Sequence, residues 1–166
     1  MFYNFRDEVN GPVERCTIVT SAWSPLALPL VQTQKLIGGF ATELGLEVIE
    51  ADGDRVVLAW VVRPEQWQPY GIVHGGVHCS VIETAASIGA ALWWGDRGDV
   101  VGVSNATDFL RAVREGRLTA TATPIHRGRL QQLWTVAVAG EDGRQAARGQ
   151  VRLQNLPLEH LRRSVV

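Results

Sequence analysis

The sequence predicts an α+β fold in which an antiparallel sheet wraps around one long central helix. Three observations predict it. The run 76–94 is apolar on nearly every side, as in a helix buried in the middle of a domain, and between Val77 and Trp94 only Glu83 carries a charge. Four runs after it are β-like, with period-two alternation and short turns, the pattern of antiparallel strands. Two more β-like runs come before it, joined by the tight-turn residues Asp52-Gly53-Asp54.

In chain order, residues 1–33 have weak periodicity and hold Pro12, Pro25 and Pro29, so they read as an N-terminal extension. The folded domain is expected over 34–155, with 156–166 as a C-terminal tail. The segment 34–44 could form a short helix, weakened by Gly38-Gly39. Residues 46–50 and 55–63 read as the strands of a hairpin, and 64–70, stiffened by Pro64 and Pro69, as a loop. After the helix, strands are expected over 100–109, 117–126, 133–139 and 145–154. In the second of these Thr119, Thr121 and Thr123 alternate with Leu118, Ala120 and Ala122.

A chain of 166 residues fits one domain with a core of its own. A formal net charge of -1 gives no reason to expect a nucleic-acid partner. Cys16 and Cys79 lack a C-x-x-C spacing, so neither a metal site nor a redox pair is expected, and Cys79 reads as a small core residue. The N-terminus does not resemble a signal peptide, and the apolar stretch 22–31 is broken by Pro25 and Pro29. No segment is long enough to span a bilayer, so the expectation is a soluble, cytoplasmic protein with no membrane partner.

Glu83 is the residue that points to chemistry. A carboxylate in so apolar a segment is costly to desolvate unless it is paired or used. The helix opens on His74-Gly75-Gly76, and free backbone N–H groups at such a turn can polarise a carbonyl. An acid with an oxyanion donor suits acyl transfer.

These motifs resemble the hotdog-fold acyl-CoA thioesterases, in the branch of 4-hydroxybenzoyl-CoA and phenylacetyl-CoA thioesterases. In that branch His-Gly-Gly begins the central helix and the acid follows the His by nine positions, as Glu83 follows His74. A Gln stands six residues before the His, here Gln68, and a hydroxyl residue one turn after the acid, here Ser87. The polar stretch Gly102-Val103-Ser104-Asn105 and the turn His126-Arg127-Gly128-Arg129 followed by Trp134 are also similar to the family's pattern. The likeness covers roughly 36–153 and implies a hotdog fold and thioester hydrolysis, with an aryl- or medium-chain acyl-CoA as substrate. No cofactor is implied beyond the CoA that belongs to the substrate, and no metal.

Thioester cleavage needs an oxyanion donor, a nucleophile or an activated water, and a grip on the coenzyme arm. Gly75 N–H is the candidate donor. Gln68 could add a second hydrogen bond or orient water, and His74 would hold the turn in shape. Glu83 would be nucleophile or general base, and Ser87 would hydrogen-bond it or the water. The coenzyme's phosphates would meet Arg127 and Arg129 around Gly128, with Ser104 also at the binding surface and Arg111 and Arg114 as weaker candidates. Trp67 and the Trp93-Trp94 pair could line an acyl pocket.

Gly75 and Glu83 are eight residues apart on one helix, which at about 1.5 Å per residue separates them by roughly 12 Å. Two groups acting on one carbonyl would then come from different subunits, across antiparallel helices related by a twofold axis. A dimer follows, and the family implies pairs of dimers, a homotetramer. The competing readings are a hydratase or dehydratase on enoyl or hydroxyacyl thioesters, and a non-catalytic acyl-CoA-binding protein. Residue by residue, Glu83 could instead form a buried salt bridge with Arg111, and His74 could be purely structural. His78 reads as a supporting or interface residue, and His126 and His160 as surface residues.

Overall fold

The structure is a computed structural model and describes residues 37–158. The N-terminal extension, the start of the 34–44 segment and most of the tail lie outside the described residues. Helix α1 spans only Phe40–Glu43, entered through Gly39 at φ 53°, a conformation that side-chain-bearing residues rarely adopt. Strands β1 (Glu47–Ala51) and β2 (Val56–Val61) form the expected hairpin. Asp52 closes its turn, its Oδ1 accepting from the N–H groups of Asp54 at 2.7 Å and Arg55 at 2.6 Å.

The expected loop 64–70 is more ordered than its two prolines suggest. Pro64–Gln66 make a 3-10 turn, and β3 (Trp67–Gln68) pairs with β4 (Ile72–Val73) around Gly71, whose φ is 68°. The central helix α2 runs Gly75–Trp94. Strands β5 (Gly98–Phe109), β6 (Arg117–Arg127), β7 (Gln131–Gly140) and β8 (Gln145–Pro157) complete a six-stranded sheet in the order β1-β2-β6-β7-β8-β5. Every pairing in it is antiparallel. No helix of the described residues is long and apolar enough to cross a membrane.

The core lies between α2 and the concave face of the sheet. Val81, Ile82, Ala85 and Ala86 of α2 are buried with Trp60, Trp134, Val136, Val151 and Leu153. Gly89 brings the helix close, since a Cβ there would stand 2.6 Å from the Trp134 ring. A polar link completes the packing at the far end. Buried Gln132 donates to Ala90 O at 3.2 Å and Asn155 Oδ1 at 2.8 Å, and Asn155 donates to Gly128 O at 2.9 Å, tying the β6–β7 turn to the helix.

One finding corrects the sequence reading and a second adds to it. First, α2 is not covered on every side: Gly76, Cys79, Ser80, Glu83, Thr84, Ser87 and Ala91 form a half-buried to exposed stripe. Cys79 therefore sits on that stripe and not in the core. Second, β5 is an edge strand exposed along most of its length. Val101, Val103 and Phe109 lie open on it, an unusual display for apolar side chains on an unpaired edge.

Candidate active site

The β3–β4 hairpin delivers the chain to the start of α2. Buried Gln66 anchors it, donating its amide to Leu44 O at 2.9 Å, while its own carbonyl accepts from His74 N–H at 2.8 Å. His74 is the extended N-cap of α2, and its Nδ1 accepts from Gly76 N–H at 2.9 Å. That bond consumes one of the free amides of the first turn. Gly75 N–H keeps no partner among the described residues, and it lies at the positive end of a 20-residue helix. His74 thus holds the turn, and Gly75 offers the donor.

Gly75 opens onto a cavity of about 510 Å³, lined also by Gln68, His78, Phe109, Leu110 and Arg111. Gln68 and Gly75, chosen from the sequence, are brought together. Phe109 was not foreseen. Its ring lies against Gly75 so closely that a Cβ there would stand 2.7 Å from it, so a side chain at 75 would have to push the ring aside. The aromatic wall of this cavity is Phe109 and not the expected tryptophans. Trp67 donates to Arg114 O at 2.8 Å, and Trp93 and Trp94 stack under the Arg97 guanidinium at the other end of α2.

His78 stands one turn beyond His74 and is 4% exposed. Burial pushes its pKa down to about 4, so the ring is neutral at physiological pH. It meets Trp60 edge-on at 6.4 Å and Phe109 at 6.2 Å between ring centroids.

Glu83 lies elsewhere, on the open stripe of α2 facing β5. Ser87 Oγ donates to its Oε1 at 3.5 Å, and Asn105 Nδ2 donates to its Oε2 at 3.3 Å. Asn105 is itself fixed by Cys79 O at 3.0 Å and by the Thr107 hydroxyl, which donates to its Oδ1 at 2.7 Å. Gly102 makes room for the carboxylate, since any Cβ there would collide with Glu83 Oε1. Among the described residues Glu83 has no ion pair; Arg111, its suggested partner, bonds Asp142 at 3.3 Å instead.

A bulge explains why Asn105, quoted only as part of the polar stretch 102–105, meets Glu83 where Ser104 was chosen. Simple alternation would put Gly102 and Ser104 on one face of β5. The register against β8 shifts between them, so Gly102 faces buried Leu153, Ser104 pairs with exposed Arg152, and Asn105 faces buried Val151. Gly102 and Asn105 therefore share the helix side with Glu83, and Ser104 points to the other side of the sheet. Arg127 is committed to the β1–β2 turn, bonding Asp54 at 2.7 Å and Gly53 O at 2.7 Å. Exposed Arg129 and Gly128 border a second cavity of about 470 Å³ with His126, Gln131 and Gln154.

A sheet curled around one helix, with a backbone donor at the helix start and a carboxylate two turns on, defines a hotdog thioester hydrolase. The chain belongs to the thioesterase superfamily, whose family model matches residues 70–147. It is similar to the crystal structure of AziG from S. sahachiroi, at 54% identity and a TM-score of 0.72 over 73% of this chain and 98% of that one. It is 31% identical over 108 residues to the proofreading thioesterase EntH of Cronobacter turicensis, covering 65% of this chain and 79% of that protein. It is 33% identical over 103 residues to the 1,4-dihydroxy-2-naphthoyl-CoA hydrolase of Listeria monocytogenes, covering 62% and 84% respectively.

Proposed function

We propose that this chain is a cytoplasmic acyl-CoA thioesterase whose active unit is a twofold dimer, each site built from two protomers. Gly75 and Gln68 of one protomer would hold the carbonyl oxygen. Glu83 of the partner subunit, set by Asn105 and Ser87, would attack the carbonyl carbon or take a proton from the attacking water. In either route one water is consumed, the C–S bond breaks, the sulfur leaves with a proton as free CoA thiol, and the acyl group departs as its acid. Arg129 at the second cavity is a surface cation available to the coenzyme's phosphates.

One observation carries this reading: within a single chain the donor and the acid do not meet. Gly75 and Gln68 line a cavity that Glu83 does not reach, and Glu83 faces outward beside an edge strand without a neighbour among the described residues. Pairing β5 with its copy would cover that edge and bring the two helix stripes face to face. The CoA part of the reading draws on the relative named as a naphthoyl-CoA hydrolase. A hydratase needs a catalytic His beside an acid, whereas His74 Nδ1 is taken up by the cap and neither His74 nor His78 hydrogen-bonds an acid among the described residues.

Mixing two dead variants tests the shared site. Glu83→Ala and Gln68→Ala each lack one half, but their heterodimer contains one intact site. Random exchange of the two should restore about a quarter of wild-type thiol release from acyl-CoA. If both variants are inactive alone, exchange subunits, and stay inactive when mixed, the shared site is wrong.

A further inference from the structure

Asn105 is exposed, yet every polar group of its side chain is committed. Its Nδ2 donates to Cys79 O at 3.0 Å and to Glu83 Oε2 at 3.3 Å. Its Oδ1 accepts from the Thr107 hydroxyl at 2.7 Å. An amide nitrogen has two hydrogens to give, and here both are given. Turning the amide over would set Oδ1 against a carbonyl and a carboxylate, which only accept. Water offers an exposed asparagine the same bonds, so their net contribution to stability is small.

The three partners differ in how far they can move. Cys79 O belongs to the helix backbone. Thr107 lies two residues along the same face of β5, opposite Gly149 of β8. A Cβ at Gly149 would stand 2.8 Å from Thr107 Oγ1 and 3.0 Å from Ala106 O and Ile82 Cγ2, so the Thr107 side chain fills a gap left by a glycine. Threonine is also stiff at χ1. The Glu83 carboxylate, at the end of a longer side chain, is the partner free to move. Asn105 therefore sets Glu83, and not the reverse.

We propose that Thr107 is a positioning residue, which aims the Glu83 carboxylate through Asn105. The inference rests on the role given to Glu83 above. The hydroxyl holds the Oδ1 end of the amide and so keeps Nδ2 turned to the carboxylate. Its bond also polarises the amide and strengthens the donor on the far side. The choice of an amide follows from what Glu83 has to do. A guanidinium in the place of Asn105 would hold the carboxylate more tightly, but it would favour the ionised form and make a poorer base. A neutral amide orients the carboxylate with less of that penalty. Gly102 and Gly149 serve the same line of groups, one clearing space for Glu83 Oε1 and the other for Thr107 Oγ1.

The test compares Thr107→Val, which keeps the shape and removes the hydroxyl, with Thr107→Ser, which keeps the hydroxyl. Thiol release is measured on a panel of aryl- and medium-chain acyl-CoAs, with a melting curve to show that each variant is folded. Thr107→Val should lower kcat about ten-fold, with KM within about two-fold of wild type. Thr107→Ser should stay within about two-fold of wild type in both. Asn105→Ala should lower kcat about 10²-fold, and adding Thr107→Val to it should change nothing further, because the path to Glu83 is already cut. Full activity in Thr107→Val overturns the inference and leaves the acyl-CoA reading intact. So does an equal loss in Thr107→Ser, or a loss that repeats in full on the Asn105→Ala background. A readout independent of turnover uses the ¹⁵N-labelled side-chain amide of Asn105. Glu83→Gln should move its Nδ2 signals in the wild-type and Thr107→Ser backgrounds, and much less in Thr107→Val. If no acyl-CoA is cleaved but that dependence holds, the acyl-CoA reading falls and this one stands. If Glu83→Gln moves the signals equally in all three backgrounds, this one falls.

Discussion

The two ends of the 75–87 stretch of α2 are built in opposite ways. At Gly75 the chain makes a cavity lined by Gly75, whose N–H has no partner among the described residues, and by Gln68 and Arg111. At Glu83 it makes an open surface whose carboxylate is an acceptor held by only two contacts, at 3.3 and 3.5 Å. In the proposed dimer each half would supply what the other lacks. The difference teaches that a charge on the helix need not be buried by its own chain. Glu83 was conspicuous in the sequence because its neighbours are apolar, yet those neighbours turn inward while it turns out toward β5.

Breaking the open half should cost most. Glu83→Gln keeps the size and the Ser87 and Asn105 contacts but removes the base or nucleophile. Thiol release should fall by about 10³-fold, with the melting temperature nearly unmoved. An activity loss below ten-fold would move the chemistry to another group. Gly102→Ala sharpens the comparison from the strand side. The new methyl takes the place of Glu83 Oε1, so the carboxylate must shift while the cavity half is untouched. A displacement near 1 Å should lower kcat by up to about 10²-fold with a smaller change in KM. An equal loss in both would mean that the strand edge, and not the carboxylate, had moved.

Most of the fold was legible because its signals are local. Period-two runs gave β5 to β8 with ends within three residues, and Asp52-Gly53-Asp54 gave the hairpin turn through side-chain bonds two and three residues long. The candidate residues on α2 could be picked out for the same reason: His74, Gly75, Glu83 and Ser87 keep fixed intervals at and along one helix. What failed was anything set by contact between elements. Asn105 depends on a bulge in β5, which alternation cannot foresee. Phe109 touches Gly75 from 34 residues away in the chain. The tryptophans misled because aromatic size does not say which side of α2 a ring will meet. Arg127 looked like a free turn cation, but the β1–β2 turn folds back onto it.

The remaining effect expected belongs to the cavity half, and it is one of stability. Burial lowers the pKa of His78 from its usual 6.5 to about 4, so the folded protein resists protonation that the unfolded chain accepts. Between those two values the unfolded chain binds the extra proton, and stability must fall as pH drops through that window. The cost is absent above pH about 6.5 and complete below about 4, where it reaches on the order of 3 kcal/mol. Carboxylates also weaken the fold in acid; Asp142, for one, is held below its ordinary pKa chiefly by the Arg144 hydrogen bond. Comparing wild type with His78→Phe removes that shared background, since the variant keeps a flat ring between Trp60 and Phe109 but has nothing to protonate. Melting curves at pH 7 and pH 4.5 should therefore show a smaller acid loss in His78→Phe. Identical losses would mean that His78 is reached by water in the native state. The cavity would then be wet.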